Sequence, residues 1–354
     1  MKALVAMSGG VDSSVAAALM VDAGHDVIGA TLKLWEGPDG EAPTAGCCTV
    51  SDAEDARRVA AQLGIPYYVF DYTEDFRTGV VDPFVSSYLA GQTPNPCVEC
   101  NRTVKFSRLL DQATDLGCEL LVTGHYAQVR QDPDGWRLLR GADPDKDQSY
   151  VLYMLGQAEL ARVRFPIGDL TKAQTRAIAA HLGLRTATKT ESQDICFVGA
   201  GNYRTFLETQ TDAARRNGPI VDCDGQILGE HGGVAGFTVG QRRGLGVSVG
   251  EARYVTSIDP ISATIVLGRR EDLLATGASL AGKSWAAGAA PPAGRVEVKI
   301  RYNSPAVPAS FDPDAPTGEI LFEEPQPSVA PGQACVIYRG EELLGGGTIV
   351  SAVL

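Results

Sequence analysis

The chain of 354 residues has no run of about 18 consecutive apolar residues, the length that a membrane-spanning helix requires. Its start lacks the layout of a secretory signal peptide, because Lys2 is followed by a short apolar stretch that ends at glycines. Positive charge is also scarce, with 31 Lys and Arg against 43 Asp and Glu, and the net charge of −12 argues against a general nucleic-acid binder. We therefore expect a soluble, cytoplasmic protein with no membrane partner, whose eight cysteines do not form structural disulfides.

Apolar residues make up 44% of the chain, which is ample for a packed core. Apolar runs typical of strands occur at residues 3–7, 27–34, 67–70 and 120–125. Helical patterns lie between or after them at residues 13–23, 52–63 and 101–116, and Ser51 and Glu54 have the spacing of a capping box. This alternation predicts a parallel sheet covered by helices, with ligands bound at the carboxyl ends of its strands.

The character of the chain changes near residue 210. Residues 128–140 predict a hairpin, but from about residue 210 onwards turn-rich and glycine-rich segments separate many short strand patterns. Short strands at this spacing are typical of small barrels. We expect three domains, at residues 1–208, 209–278 and 279–354.

Residues 8–14 read Ser-Gly-Gly-Val-Asp-Ser-Ser and connect the first strand to the first helix. Two glycines permit a tight turn, and the helix start presents N–H groups to an anion. Asp12 would repel a bare phosphate, so its presence indicates a metal ion that bridges it to the phosphates. The turn has no lysine, which excludes the lysine-bearing mononucleotide loop. It resembles the loop of the ATP pyrophosphatases, which split ATP into AMP and pyrophosphate.

Two cysteine contexts stand out. Cys97 and Cys100 follow a proline-rich loop, and Cys100 is expected at the start of a helix, where a thiolate is favoured. Cys196 lies far away in sequence, at a transition from polar to apolar residues. Alternatives for Cys100 are an inert buried thiol or half of a zinc site, although no second pair at zinc spacing is present.

Basic residues are concentrated between residues 162 and 189, where six Lys and Arg face the single acid Asp169. Such a patch is able to follow a phosphate backbone. From charge alone, the ordinary interpretation of a solvated helix face is favoured.

Motifs along the whole chain, in the order SGGVDSS, NPCVECN, TGHYA, KDQSYVLY, ESQDICFV, VGQRRGLGV, PGQA and GGGTI, resemble those of the tRNA-specific 2-thiouridylase family. This resemblance implies a parallel-sheet α/β domain of the PP-loop ATP pyrophosphatase type, a small central domain and a C-terminal β-barrel. It also implies ATP-dependent 2-thiolation of the wobble uridine 34 of tRNA. AMP would be transferred to the C2 oxygen, which is otherwise a poor leaving group, and persulfide sulfur would replace that oxygen.

The resemblance also implies site residues. Cys100 is the expected nucleophile and Cys196 the persulfide carrier, with sulfur delivered directly or released as hydrosulfide when the two form a disulfide. ATP, with Mg²⁺, is expected at Ala6, Met7, Ser8, Gly9, Gly10, Val11, Asp12, Ser13, Leu32 and Gly124. Contacts to tRNA are expected from Asn95, Pro96, Cys97, His125, Lys146, Asp147, Gln148, Arg301, Tyr302 and Gln333. The implied partners are tRNAs with Lys, Glu and Gln anticodons, and a cysteine desulfurase or sulfur-relay protein.

One position departs from the family pattern, because many members have an aspartate with acid/base duty where this chain has Cys97. Cys97, Cys100 and Cys196 together supply three thiolates, so a thiolase that depends on a [4Fe–4S] cluster is an alternative. Two further alternatives are an amidating pyrophosphatase, for which no glutaminase segment is apparent, and a non-catalytic module that binds tRNA or a cluster.

Overall fold

The computed structural model describes residues 1–36, 49–190, 195–198, 202–248 and 250–354. The elements up to residue 190 are β1 Lys2–Ala6, α1 Val11–Asp22, β2 Asp26–Lys33, α2 Val50–Leu63, β3 Tyr67–Asp71, α3 Thr73–Phe76, α4 Asp82–Leu89, α5 Pro96–Cys100, α6 Leu109–Asp115, β4 Leu120–Val122, β5 Ala127–Asp132, β6 Gly135–Arg140, α7 Gln157–Arg162, β7 Val163–Arg164 and α8 Lys172–His181. Helices separate β1, β2, β3 and β4 from one another, as the sequence predicts. Two π-helical segments, Arg77–Val81 and Asn101–Arg108, connect α3 to α4 and α5 to α6.

Five of these strands form a parallel sheet in the order β3-β2-β1-β4-β7. The chain adds β2 and β3 on one side of β1 and places β4 on the other, so the strand order reverses at β1. The carboxyl end of β1 is therefore the position at which open α/β sheets bind their ligands. The prediction of a parallel sheet covered by helices is confirmed.

The start of α2 differs from the predicted capping box at Ser51 and Glu54. The N-cap is Thr49, whose hydroxyl accepts a hydrogen bond from the Asp52 N–H at 3.1 Å while the Asp52 carboxylate accepts one from the Thr49 N–H at 2.9 Å. Two overlapping boxes share the same spacing, and local sequence does not choose between them. The choice of Thr49 turns Asp52 inward, where it is only 9% exposed.

The second half of the chain is rich in strands. Its elements are α9 Tyr203–Gln210, β8 Gly218–Asp222, β9 Ile227–His231, β10 Tyr254–Asp259, β11 Thr264–Gly268, β12 Leu274–Trp285, β13 Gly294–Lys299, β14 Val307–Phe311, β15 Ile320–Pro327, β16 Ala334–Arg339 and β17 Glu342–Val353. Strands β8 to β11 form a four-stranded sheet. Strands β12-β15-β14-β13-β16-β17 form a barrel, which pairing of β12 with β17 closes.

The predicted hairpin β5–β6 does not belong to the N-terminal sheet. Leu138 and Leu139 of β6 pair with Leu343 and Glu342 of β17, so the hairpin extends the sheet of the C-terminal barrel. One cluster of buried side chains, here called the shared core, contains Leu138 and Tyr150 from the first half and Tyr338 and Leu343 from the barrel. The N-terminal part and the barrel are therefore packed as one body.

Helices of the described ranges are short, and none is both long enough and apolar enough to cross a membrane.

Candidate functional site

The loop predicted to bind a nucleotide lies at the carboxyl end of β1. Gly10 is the N-cap of α1, so Val11, Asp12 and Ser13 form the first helical turn. The Ser8 N–H donates to the Ser13 Oγ at 3.1 Å, and the hydroxyl of Ser13 donates to the Gly10 carbonyl at 3.2 Å. The first N–H groups of α1 and the positive end of its dipole thus face the loop, which suits a bound phosphate.

Two glycines allow neighbouring elements to close on this loop. A Cβ on Gly9, which has φ +71, would lie 2.1 Å from the Asp52 carbonyl oxygen at the start of α2. A Cβ on Gly124, two residues after β4, would lie 2.7 Å from the Ser13 nitrogen. The remaining residues expected at ATP lie on the same strands, with Ala6 ending β1, Met7 donating its N–H to the Ala30 carbonyl at 2.7 Å, and Leu32 on β2. The structure therefore brings together the residues expected at the nucleotide.

Asp12 is held by two side chains from later parts of the chain. Lys172 Nζ lies 2.9 Å from each Asp12 carboxylate oxygen, and the Tyr126 hydroxyl donates to Oδ1 at 2.8 Å. No set of three or more His, Cys, Asp or Glu side chains in the described ranges is arranged to hold a metal ion. Both Asp12 oxygens are therefore paired with the Lys172 ammonium group, and the metal ion that bridges Asp12 to the phosphates stays a prediction.

A second lysine reaches the loop from the end of the same basic stretch. Lys189 Nζ donates to the Gly9 carbonyl at 3.0 Å and lies 2.7 Å from an oxygen of Asp52 and 2.7 Å from an oxygen of Asp55. Burial opposes its charged form, but the hydrogen bonds with Asp52 and Asp55 outweigh burial and raise the pKa of Lys189. The interpretation of this basic stretch as a solvated helix face is thus wrong for Lys172 and Lys189. Only the fold of the chain reveals their contacts with the loop and its carboxylates.

The segment of Cys97 and Cys100 is helical earlier than predicted. Asn95 is the N-cap of α5, and its side-chain oxygen accepts hydrogen bonds from the N–H groups of Cys97 at 3.1 Å and Val98 at 3.3 Å. Pro96 occupies the first helical position, which its fixed φ favours. The exposed Cys97 therefore lies at the N-terminal end of α5. Cys100 is the last residue of α5 and is only 6% exposed.

Cys196 lies in a short described segment between residues 195 and 198, and the preceding part of its motif, residues 191–194, lies outside the described residues. Cys196 packs against the shared core that includes Cys100. The next residue, Phe197, contacts Phe84 edge-on with ring centroids 5.1 Å apart. Both sulfurs thus border one apolar cluster.

Two expectations for the cysteines find no support. The structure records no disulfide among the cysteines of the described ranges, so the Cys100–Cys196 bond expected during turnover is not formed. Cys97, Cys100 and Cys196 are not among residues arranged to hold a metal, as far as the described residues show. Cys97 and Cys100 point to different sides of α5, because Cys97 is exposed and Cys100 is buried.

His125 follows Gly124, which packs against the start of α1. Its Nδ1 lies 2.6 Å from the Thr123 hydroxyl, and its ring packs between Phe106 and Phe165 with centroid distances of 5.8 Å to each. Burial and the nearby positive charge of Lys105 hold the pKa of His125 well below its usual value of 6.5. The ring is therefore neutral at pH 7 and is suited to hydrogen bonding with a base rather than to pairing with phosphate.

Residues 146–148 shape the turn after the hairpin. The buried Asp147 carboxylate accepts hydrogen bonds from the N–H groups of Gly141 at 3.1 Å and Ser149 at 3.0 Å. The Gln148 side-chain oxygen accepts from the Tyr126 N–H at 3.0 Å, and the Lys146 N–H donates to the Asp143 carbonyl at 3.1 Å. Two of the three side chains expected to contact tRNA thus hold backbone groups next to Tyr126.

The remaining predicted tRNA residues lie at the seam between the N-terminal part and the barrel. Gln333 Nε2 donates to the Thr93 carbonyl at 2.8 Å, two residues before Asn95. The ring of Tyr302 lies 5.8 Å from that of Tyr150, whose hydroxyl also interacts with the Asn95 side chain. Arg301 donates to the Ser328 carbonyl at 2.6 Å. The structure therefore groups Asn95, Tyr302 and Gln333 around one seam.

Comparison with known families divides the chain in agreement with this architecture. The model of the tRNA methyl transferase HUP domain matches residues 1–200, that of the tRNA methyl transferase PRC-barrel domain residues 204–269, and that of the aminomethyltransferase β-barrel domain residues 277–349. Among solved structures, the chain is similar to a 4-thiouridine synthetase in complex with RNA and ATP. That likeness is weak, with 16% identity, a TM-score of 0.37 and coverage of 60% of this chain and 50% of that one.

Curated relatives match over nearly the full length. A protein of Roseiflexus castenholzii named tRNA-specific 2-thiouridylase MnmA is 48% identical, covering 98% of this chain and 99% of that protein. Proteins of the same name from Sorangium cellulosum and Geobacter metallireducens are 49% and 47% identical, each covering 99% of this chain and respectively 93% and 97% of the relative. With its PP-loop α/β domain, central domain and C-terminal barrel, the chain belongs to the tRNA-specific 2-thiouridylase (MnmA) family.

Proposed function

We propose that this protein is a tRNA-uridine 2-sulfurtransferase that uses ATP to convert the wobble uridine 34 of tRNA to 2-thiouridine. One observation carries the proposal: a nucleotide loop at the strand-order reversal coexists with two cysteines, Cys100 and Cys196, that border one apolar cluster. The relatives that match the whole chain bear the name of this activity. The family models are named for methyl transfer, but a phosphate loop and paired thiols supply what thiolation needs.

The reaction begins with activation of the base. The C2 oxygen of uridine attacks the α-phosphate of ATP, and pyrophosphate leaves toward the loop and the start of α1. Backbone N–H groups and the helix dipole stabilise the departing charge. The adenylated oxygen is then a good leaving group, which the unmodified C2 carbonyl lacks.

Sulfur transfer follows. In one route, the terminal sulfur of a Cys196 persulfide attacks C2 and AMP leaves with the former C2 oxygen. The Cys100 thiolate then attacks the Cys196 sulfur, so that the thiouridine is released. In the other route, Cys100 attacks the persulfide first and releases hydrosulfide, which displaces AMP. Both routes end in a Cys100–Cys196 disulfide, which a cellular thiol must reduce before the next turnover.

The tRNA is proposed to bind along the seam that Asn95, Pro96, Cys97, His125, Lys146, Arg301 and Tyr302 line, with Asp147, Gln148 and Gln333 shaping it. Uridine 34 must leave the anticodon stack to reach ATP, as bases do in other enzymes that modify them. We propose tRNAs with Lys, Glu and Gln anticodons as substrates. A cysteine desulfurase or relay protein is the proposed sulfur donor, and 1–208, 209–278 and 279–354 are the proposed domains.

Cysteine variants test the paired-sulfur mechanism. Cys100→Ser and Cys196→Ser are each expected to abolish 2-thiouridine formation while tRNA binding stays within about twofold, because only the reactive sulfur is removed. The control is Cys223→Ser, which removes an exposed thiol in the turn between β8 and β9 and is expected to keep full activity. Mass analysis of tRNA nucleosides after incubation with ATP, Mg²⁺ and a persulfide source gives the answer. Thiolation by either site variant would overturn the mechanism.

Two measurements on the unaltered protein separate the remaining alternatives. Release of AMP and pyrophosphate with ATP and unmodified tRNA is expected, and its absence would favour a module that only binds tRNA. Protein purified without oxygen is expected to be colourless and active when free of iron. Visible absorption from iron, together with iron-dependent thiolation, would instead establish the cluster route.

A further inference from the structure

Three carboxylates surround a loop that is meant to receive a triphosphate. Asp12 lies in the first turn of α1, and Asp52 and Asp55 lie in the first two turns of α2, which contacts Gly9. Unpaired, these three negative charges would repel the ligand at close range. The loop itself has no lysine to offset them.

The offsetting cations come from distant parts of the chain. Lys172, 160 positions after Asp12, contacts both oxygens of its carboxylate, and Lys189, 180 positions after Gly9, contacts the loop backbone. The two lysines are not equally accessible. The Lys172 side chain is 12% exposed, whereas that of Lys189 is 29% exposed and touches the Gly9 carbonyl of the loop.

We propose that Lys189 is a phosphate-binding residue of the nucleotide loop, and that Lys172 serves as the ion-pair partner that offsets the Asp12 carboxylate. When ATP binds, the Lys189 ammonium exchanges a contact with Asp52 or Asp55 for one with the triphosphate. A single flexible four-carbon chain makes this exchange without movement of the sheet. Lys189 thus supplies from outside the loop the cation that lysine-bearing loops carry within their own sequence. This inference rests on the ATP-dependent function proposed above.

Two substitutions of opposite charge distinguish this role from a structural ion pair. Lys189→Met is expected to weaken ATP binding about tenfold, which corresponds to about 1.4 kcal/mol. Asp55→Asn removes a competitor for the ammonium and is expected to tighten ATP binding by about twofold or more. If Lys189 only tied α2 to the loop, both substitutions would loosen the same contact and weaken binding alike.

The measurement is calorimetric titration with ATP, inorganic pyrophosphate and adenosine. Lys189→Met is expected to affect ATP and pyrophosphate but not adenosine, which has no phosphate. Arg58→Met is the matched control, because Arg58 lies on α2, pairs with Glu54 and does not touch the loop. Its removal changes the same unit of charge and is expected to leave ATP binding within about twofold. Lys189→Arg retains the charge and is expected to bind ATP nearly as the unaltered protein does. This second variant keeps the test valid if the Lys189→Met protein fails to fold.

The outcomes separate the two proposals. Failure of the unaltered protein to bind ATP would overturn the proposed function. Tight ATP binding that Lys189→Met leaves unchanged, or equal weakening by Lys189→Met and Asp55→Asn, would overturn only the role of Lys189. Equal weakening by Lys189→Met and Arg58→Met would show a diffuse charge effect and also overturn it.

Discussion

At the scale of single residues, His125 links burial to the pH dependence of stability. Its pKa lies well below 6.5 because burial and Lys105 disfavour the charged ring. Above pH 6.5 the ring is neutral in both the folded and the unfolded chain. As pH falls below 6.5 the unfolded chain takes up a proton that the folded protein refuses, so stability is lost down to the folded pKa.

His125→Gln is therefore expected to flatten the decline of stability between pH 7.5 and 5.5. Urea midpoints measured at both values test this, with His181→Gln in the exposed last turn of α8 as the control that keeps the decline. An unaltered slope in His125→Gln would show that other groups set the dependence.

Gly124 provides a second prediction at this scale. Gly124→Ala places a Cβ 2.7 Å from the Ser13 nitrogen and pushes β4 away from the start of α1. We expect a loss of about 1–3 kcal/mol in stability together with impaired ATP binding, measured by thermal unfolding and titration. Gly232→Ala, whose Cβ meets nothing within 4 Å, is the control. Normal ATP binding by Gly124→Ala would argue against close packing at this loop.

The residues of the loop itself could be predicted from sequence, because glycines, serines and a helix start are local signals. Lys172 and Lys189 could not be assigned to the loop, since their contacts with Asp12 and Gly9 depend on how α8 and the segment after it return to β1. Likewise, no local sequence signal indicates that the Asp147 carboxylate accepts hydrogen bonds from backbone N–H groups.

At the scale of elements, a barrel turn positions the segment that carries the cysteines. The Thr93 N–H donates to the Pro331 carbonyl at 2.8 Å, and Gln333 donates to the Thr93 carbonyl at 2.8 Å. A Cβ on Gly332, which has φ +91, would lie 2.8 Å from the Thr93 nitrogen, so only glycine permits this approach. The barrel turn at residues 331–333 therefore holds the segment before α5 in place by one backbone and one side-chain hydrogen bond.

Gln333→Ala is expected to lower the thiolation rate more than it lowers tRNA affinity, because the amide acts largely through Thr93. The stability loss is expected to be about 1 kcal/mol, the value of one hydrogen bond. Single-turnover thiolation and tRNA binding measured side by side decide the matter. A variant that loses only tRNA affinity would instead show Gln333 to be chiefly a tRNA contact.

The four strand runs predicted at residues 3–7, 27–34, 67–70 and 120–125 lie within three residues of the bounds of β1 to β4, because apolar runs between breakers are a strong signal. The short strand β7 was not predicted. The helix carrying Cys97 and Cys100 begins at Pro96 rather than after Cys100, since the prolines that suggested a rigid loop include the one that starts α5. The two π-helical segments had no sequence signal. A Cβ on Gly79 of the first would lie 2.8 Å from the Thr103 Oγ1 of the second, so their close approach depends on tertiary packing.

At the scale of the whole molecule, Arg140 fastens the hairpin to the barrel. Its guanidinium lies 3.8 Å from the centre of the Tyr338 ring, and it pairs with Glu297 at 3.2 Å. Arg140→Ala is expected to cost about 1–2 kcal/mol and to separate one calorimetric unfolding transition into two. Arg130→Ala, which removes an exposed pair with Asp132 within the hairpin, is expected to leave one transition. Two transitions in the unaltered protein would contradict the single body described above.

The order of an α/β part followed by β-rich parts was predicted from composition along the chain. The shared sheet was not, because Leu138 pairs with Leu343 across more than 200 residues and nothing in either strand specifies the other. Register between distant strands is fixed by the packing of both faces.

The shared core has a consequence for how such a protein is inherited. A gene that kept only the nucleotide-binding portion would leave Leu138, Tyr150 and Tyr153, all fully buried here, in contact with water. A gene that kept only the barrel would lose the partner of the first residues of β17. Recombination that separates the two parts of the gene would thus yield poorly soluble proteins, whatever their catalytic activity. We therefore expect the two parts to be inherited together.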